Sequence, residues 1–145
     1  MATDVRVEVL IARPPEDVAA VMFDPSHDAE WTSGVVASRQ VTEGPLRPGS
    51  VVERDVTFAG RSFTYRYEVI AADATSLELR VERPFPMAVT YRLDEVTDET
   101  MASIHARGAA GGFFKVAGPL LNGMVRRNIT KDLAALKDLV ERACA

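Results

Sequence analysis

Apolar and polar residues alternate with a period of two throughout the middle of the chain, between residues 35 and 108. This period is typical of strands that bury one face of a sheet. It predicts six consecutive strands, at 35–43, 50–58, 61–72, 76–83, 87–96 and 100–108. Short turns rich in Gly, Pro and Asp separate these strands, and turns this short join antiparallel neighbours. The middle of the chain is therefore predicted to form an antiparallel meander.

The two ends of the chain have different patterns. Residues 5–11 predict a further strand, residues 12–24 a short helix, and residues 25–34 a second short helix or turn. From 119 to 143, apolar residues recur every three or four positions, which predicts one long amphipathic helix. Its apolar stripe needs a large apolar partner, and the sheet offers one. We therefore expect an α+β fold in which a seven-stranded curved antiparallel sheet wraps around a long C-terminal helix.

Composition narrows the classes of function. Of the 145 residues, 47% are hydrophobic and 26% are charged, which is ordinary for a single domain spanning 1–145. A net charge of −4 with scattered arginines argues against nucleic-acid binding. Cys144 is the only cysteine, so no internal disulfide is expected and a reducing compartment fits. The chain shows neither signal-peptide features nor an apolar run of the ~20 residues that span a membrane. We expect a cytoplasmic monomer or homodimer without integral membrane association.

The order of these elements resembles the helix-grip fold of the START-like (SRPBCC) superfamily. That superfamily includes the birch-pollen-allergen type, polyketide cyclase/dehydrase proteins and lipid-transfer proteins. The resemblance is carried by the helix entry at 12–18, by Trp31, and by GPLLNGMVRRNITKDLAALKDLVE at 118–141. It implies two short helices between strands 1 and 2. It also implies an internal cavity for an apolar ligand between the curved sheet and the straight helix.

The fourth predicted strand contains FTYRYEV at 63–69, whose inward face is consistent with such a cavity. Its polar residues share one face, so Phe63, Tyr65 and Tyr67 share the face that points to the interior. A dry core favours aliphatic side chains, because each buried phenol hydroxyl needs a hydrogen-bond partner. We interpret the two tyrosines as cavity wall, where the rings contact a ligand and the hydroxyls orient it.

Parity within the strands and position on the long helix select most of the residues expected to bind the ligand, while the resemblance implies Trp31 beside the cavity mouth and Phe113 is expected to cap that mouth. The full set is Trp31, Arg54, Phe58, Phe63, Tyr65, Tyr67, Leu79, Val89, Tyr91, Ile104, Phe113, Leu121, Met124, Val125 and Asn128. Arg54 leaves alternatives open. Pointing inward, its guanidinium could hold a carboxylate, enolate or ketone of the ligand. A bulge in the strand, or a stem that follows the wall to a solvated head, would keep the charge out of the cavity.

Asp24, His27, Asp28 and Glu30 place acidic side chains around one histidine. A metal site would need a second histidine ligand or a recognisable motif, and the sequence supplies neither nearby. We therefore interpret the group as helix caps and solvated charge, and we predict no metal and no cofactor. No histidine or carboxylate is predicted to point into the cavity.

The predicted function is binding of a hydrophobic small molecule, such as a lipid, an isoprenoid or an aromatic polyketide. A first alternative, implied by the resemblance, is an enzyme of the polyketide cyclase or dehydratase type that uses the same cavity for aldol cyclisation or dehydration. A second alternative is a protein-interaction module of the co-chaperone or ribosome-associated type. A hollow interior favours binding or catalysis, whereas a filled interior with an exposed apolar patch favours the interaction module.

Overall fold

The computed structural model describes residues 2–58, 60–82, 86–109 and 118–143. Its elements follow in the order β1 (Ala2–Ile11), α1 (Pro15–Met22), a 3-10 turn (Pro25–His27), α2 (Asp28–Trp31), β2 (Val35–Gln40), β3 (Val51–Phe58), β4 (Arg61–Ala72), β5 (Ser76–Val81), β6 (Met87–Val96), β7 (Glu99–Ala109) and α3 (Gly118–Ala143). Within these ranges, no helix combines the length and the apolarity needed to cross a membrane. The predicted order of strands and helices is confirmed.

The strands form one seven-stranded antiparallel sheet in the order β1-β7-β6-β5-β4-β3-β2. From β2 to β7 each strand lies beside its neighbour in the chain, which confirms the predicted meander. The bounds of β4 and β6 are as predicted, whereas β2 and β5 end slightly earlier. Strand β1 begins before the predicted start because it pairs with β7 over its full length, from Ala2 opposite Ala109 to Ile11 opposite Thr100.

The turn from α2 into β2 is tight. Gly34 has a φ of 79°, a left-handed conformation that other residues rarely adopt. A Cβ atom at this position would lie 2.7 Å from the carbonyl oxygen of Thr57. The register of β2 against β3 then shifts between Val35 and Ala37. Glycine thus allows α2 to lie close against the inner face of the sheet.

Helix α3 packs its second half firmly against the concave face of the sheet. Its buried residues follow the predicted spacing: Ile129, Leu133, Leu136 and Val140. Polar contacts fix the same half to the end of β1, because the Lys137 ammonium donates to the Leu10 carbonyl at 3.0 Å. The Glu141 carboxylate accepts the backbone N–H of Ala12 at 2.8 Å. The helix-grip fold predicted from the sequence is therefore confirmed.

Candidate functional site

A cavity of about 240 Å³ lies between the sheet and the first half of α3. The predicted residues that line it are Trp31, Arg54, Phe63, Tyr65, Tyr67, Leu79, Val89, Tyr91, Ile104, Met124, Val125 and Asn128. Phe113 lies outside the described residues, as do the side chains of Phe58 and Leu121. The sequence thus predicts much of the wall, and the role of these residues in binding a ligand stays a prediction.

Residues outside the predicted set complete the wall. They are Thr32, Ser33, Gly34, Val35, Val56, Thr57, Val81, Met87, Ala106, Ile129 and Asp132. Val56 and Val81 share strand faces with predicted residues, so parity is a sufficient signal for them. Sequence spacing could have identified Asp132 as a wall residue, because it follows Asn128 by four positions, about one helical turn. The segment after Trp31 has no periodicity that could identify it.

Arg54 and Asp28 form a buried ion pair beside the cavity. Strand β3 has no bulge at Arg54, which stands opposite Ser38 of β2 and Tyr65 of β4. The guanidinium therefore points inward, and its Nε and Nη2 atoms lie 3.0 and 2.9 Å from Asp28 Oδ2. The Ser38 hydroxyl donates to the same oxygen at 2.9 Å. The Arg54 and Asp28 side chains are only 6% and 2% exposed, so water screens this pair very little.

The interpretation of Asp28 as a capping or solvated charge is wrong. Asp28 is the first residue of α2, and the position of α2 against the sheet directs the carboxylate inward. Asp24 does act as a cap, because its Oδ1 accepts the backbone N–H of Ser26 at 3.0 Å. His27 contacts Glu30 and lies 3.9 Å from Asp24, with 37% of its side chain exposed. The described residues contain no cluster of three His, Cys, Asp or Glu side chains that could hold a metal ion.

All three tyrosines of the chain surround the Arg54 guanidinium. Nη1 donates to the Tyr65 hydroxyl at 3.0 Å, and Nη2 reaches the Tyr91 hydroxyl at 3.5 Å. The guanidinium carbon lies 4.8 Å from the centre of the Tyr67 ring, which is a cation–π contact. Within the described part of the chain, the Tyr67 hydroxyl forms no hydrogen bond. The inward tyrosines therefore form a polar patch centred on one cation.

Burial favours the neutral form of the Tyr67 and Tyr91 phenols. It raises the pKa of Tyr91 to about 12 and that of Tyr67 well above its usual range, although the Arg54 charge acts in the opposite direction. Burial also raises the pKa of Asp28, and the Arg54 charge offsets part of this effect. Burial lowers the pKa of Arg54. The oxygens of Tyr65, Tyr91 and Asp28 raise it by more, so the pKa lies well above its usual value. The hydroxyls of Tyr65 and Tyr91 accept from a cation, so their own hydrogens remain for another acceptor.

Asp132 brings a second carboxylate to the wall, and the prediction that no carboxylate points inward is wrong. It is 8% exposed and accepts the Ser33 backbone N–H at 2.7 Å, together with the Ser33 hydroxyl. Burial raises the pKa of Asp132, and the two bonds from Ser33 act against this rise. Both hydrogen bonds from Ser33 end on Oδ1. The other carboxylate oxygen, Oδ2, accepts no hydrogen bond from any described residue.

Trp31 ends α2 and lies in the same wall. Its ring packs edge-on against Tyr91, with 5.7 Å between the ring centres. It is 3% exposed, and its indole Nε1 has no hydrogen-bond partner among the described residues. Because it is the only tryptophan of the chain, its fluorescence reports on the wall of the cavity.

Comparison with known proteins agrees with this architecture. The Zhui aromatase/cyclase from a Streptomyces species is 21% identical with a TM-score of 0.82, over 100% of this chain and 97% of that one. A START superfamily protein from Mycobacterium smegmatis is 15% identical with a TM-score of 0.83, over 97% and 98% of the two chains. Ara h 8.0201 is 12% identical with a TM-score of 0.74, over 98% and 99%.

The sequence itself identifies the family. No curated protein sequence matches the chain significantly. A family model described as polyketide cyclase / dehydrase and lipid transport matches residues 2–141. The chain therefore belongs to the polyketide cyclase/dehydrase and lipid transport family. Its fold is also that of the START superfamily protein described above, as the sequence predicted.

Proposed function

We propose that the protein binds a compact hydrophobic molecule, a ring system that carries an oxygen able to accept hydrogen bonds. The observation that carries this proposal is the hollow interior, whose largely apolar wall gathers its tyrosines around Arg54. Such a combination of apolar surface and a few convergent polar groups is typical of small-molecule sites. A hollow interior also argues against the protein-interaction module.

The volume of the cavity limits the size of the ligand. Sites for drug-sized ligands have roughly 300–1,000 Å³, and an engineered apolar cavity of about 150 Å³ binds benzene. A cavity of about 240 Å³ therefore suits one or two rings. Among the predicted ligand classes, a small aromatic polyketide or an isoprenoid fits this volume better than a lipid with long acyl chains.

The polar groups of the wall favour a hydrogen-bond acceptor on the ligand. The Tyr65 hydroxyl already accepts from Arg54, so it has a hydrogen to donate. Tyr67 is 3% exposed, and its hydroxyl has no partner among the described residues. This hydroxyl lines the cavity and is therefore available to donate a hydrogen bond to a ligand oxygen.

Calorimetric titration with two probes of nearly equal shape tests the proposal. 2-Acetylnaphthalene carries a ketone, and 2-ethylnaphthalene replaces that ketone by a methylene group. Saturable binding of the ketone is expected, together with a change in Trp31 fluorescence. Failure of both probes to bind would contradict the proposed function.

Removal of one hydroxyl tests the role of the tyrosines. Tyr67→Phe should weaken binding of 2-acetylnaphthalene roughly two- to tenfold, equivalent to ~0.5–1.5 kcal/mol, and leave 2-ethylnaphthalene unaffected. The matched control is Thr64→Val on the opposite face of β4, where the lost hydroxyl contacts only Asp55 among the described residues, at 2.7 Å. This control should change neither affinity. An equal loss for both naphthalenes in Tyr67→Phe would show that the hydroxyl does not bind the ketone.

A second candidate function is catalysis of aldol cyclisation or dehydration in the same cavity. Asp132 favours it, because a carboxylate in the wall could remove a proton beside a ligand ketone while tyrosine hydroxyls bind the resulting enolate oxygen. One structure with the same fold is named an aromatase/cyclase. Incubation with a linear poly-β-ketone should then yield a cyclic product with loss of water, more slowly in Asp132→Asn. Absence of product at saturating ligand would leave binding as the function.

A further inference from the structure

The charge of Arg54 is already bound by the protein. Nε and Nη2 donate to Asp28 Oδ2, and Nη1 donates to the Tyr65 hydroxyl. The Tyr67 ring covers one side of the guanidinium, 4.8 Å from its carbon to the ring centre. A ligand in the cavity therefore meets neutral phenols close to Arg54, backed by a cation that is paired with a carboxylate.

The charges near the cavity sum to zero or to a negative value. Among the described residues that line it, Arg54 and Asp132 are the ionisable side chains other than tyrosine. Asp28 adds a negative charge directly behind Arg54, at 2.9 Å. One cation thus stands against two carboxylates, and the sum is −1 when Asp132 is ionised and zero when it is protonated.

We propose that the cavity takes uncharged carbonyl compounds and rejects carboxylates, and that Asp28 sets this preference by neutralising Arg54. This inference rests on the proposed binding function and specifies the ligand class of the same site. A carboxylate that enters the cavity loses its hydration, and the neutral phenols replace that hydration less fully than a free cation would. To supply one, Arg54 would have to leave Asp28, and Asp28 would then be a buried carboxylate without its partner. A ketone needs only the phenol hydrogens.

Two probes of nearly equal shape measure the preference in the unaltered protein. 2-Acetylnaphthalene and 2-naphthoate differ in that a carboxylate oxygen replaces the methyl group of the ketone. At pH 7.5 we expect the naphthoate to bind at least about tenfold more weakly than the ketone. A naphthoate affinity equal to or greater than that of the ketone would overturn the inference.

Asp28→Asn tests the residue that sets the preference. Asparagine keeps an oxygen that can accept from Arg54 and Ser38, but it leaves the guanidinium charge unbalanced. Naphthoate affinity should rise about tenfold or more, while ketone affinity changes less than about threefold. Asp55→Asn is the matched control, since it removes the same charge from the outward face of β3, where 40% of the side chain is exposed. The ratio of the two affinities should stay as in the parent.

A further variant covers the case in which Asp28→Asn does not fold, as judged by its near-ultraviolet circular dichroism. Asp132→Asn also removes a negative charge from beside the cavity, and it should likewise shift the ratio towards naphthoate. An unchanged ratio in the variants that fold would refute the electrostatic selection. Failure of both 2-acetylnaphthalene and 2-naphthoate to bind the parent would refute the binding function itself. Binding of naphthoate as tight as the ketone would refute only the preference.

Discussion

Strand β3 carries arginine–carboxylate contacts on both of its faces, and one contact on each face has nearly the same length. On the inner face, Arg54 Nη2 lies 2.9 Å from Asp28 Oδ2. On the outer face, Arg39 Nη1 lies 3.0 Å from Asp55 Oδ2. The exposures differ greatly, at 6% and 2% for the inner side chains against 49% and 40% for the outer ones. The N–O distance alone therefore does not tell which pair contributes more to stability or to ligand selection.

The two faces of β3 differ in how far water reaches the ion pairs. Water screens the outer pair and solvates each partner when the other moves away, so the pair contributes little to stability. The inner pair lost its hydration when the chain folded, and its members depend on each other for compensation. Only the inner pair can therefore affect which ligands bind in the cavity. The outer pair lies on the solvated surface of the sheet. The following variants test this contrast.

Removal of the inner cation should have the largest effect. Arg54→Met keeps most of the apolar stem but leaves Asp28 buried without its partner, so the free energy of unfolding at pH 7 should fall by ~3–5 kcal/mol. Urea denaturation measures this loss. A further replacement, Asp28→Asn, should restore ~0.5–3 kcal/mol in the double variant, because the unpaired charge is then gone. A double variant less stable than Arg54→Met would contradict the proposed coupling.

The second prediction concerns the helix that covers the inner face. Leu136 of α3 is fully buried, so Leu136→Ala should lower the free energy of unfolding by ~2–5 kcal/mol through lost burial and the remaining cavity. Lys131 is an exposed residue of the same helix, and Lys131→Ala should stay within about 0.5 kcal/mol of the parent. Equal urea midpoints for the two variants would show that α3 does not seal the interior in the described way.

Local patterns were enough to predict the fold and the apolar wall of the cavity. The bounds of strand β4, Arg61–Ala72, were predicted correctly, because the alternation and the flanking turns both depend on residues that are close in sequence. The inward positions of Tyr65 and Tyr67 follow from the same parity. The long helix follows from apolar spacing that extends over many turns. In each case the information lies within one segment of the chain.

The ion pair could not be predicted because its partners are distant in sequence. Asp28 sits in an acidic stretch that is typical of helix caps, and its partner Arg54 is 26 positions away. Asp132 and Ser33 are 99 positions apart. A charged residue beside the apolar stripe of a helix is usually solvated. Only the packing of α2 between α3 and the sheet buries these carboxylates.

The third prediction uses pH to separate an inner carboxylate from an outer one. Burial raises the pKa of Asp132 above its usual value of 3.8. In the window between 3.8 and the raised value, the folded state binds more protons than the unfolded state, so Asp132 lowers stability as the pH rises. In Asp132→Asn this contribution disappears, and the stability of the variant relative to the parent should increase with pH across that window.

The outer carboxylate should give the opposite slope. Hydrogen bonds from Arg39 and Thr64 lower the pKa of Asp55 below 3.8, so its contribution is present above that pH and is lost as the pH falls through the lowered value. The stability of Asp55→Asn relative to the parent should therefore decrease as the pH rises through this range. Urea midpoints measured from about pH 2 to pH 7 decide between the two signs. Slopes of the same sign would contradict the contrast between the faces.

The smallest effect on stability is expected when the replacement made in the first variant is made on the outer face of β3. Arg39→Met makes the same replacement as Arg54→Met, but on the outer face, where Asp55 and Glu53 remain in contact with solvent after their partner is lost. Arg66 still holds Glu53, with 2.8 Å between its Nε and the carboxylate, so part of the outer network survives. The urea midpoint should move only slightly, and the shift should shrink further in 1 M salt, where the Debye length is about 3 Å. Because the replacement is the same as in Arg54→Met and the arginine–carboxylate distance is nearly the same, the comparison sets a buried group of arginine contacts against a solvated one. A loss of stability as large as that of Arg54→Met, or one that salt does not reduce, would show that burial is not what separates the two faces of β3.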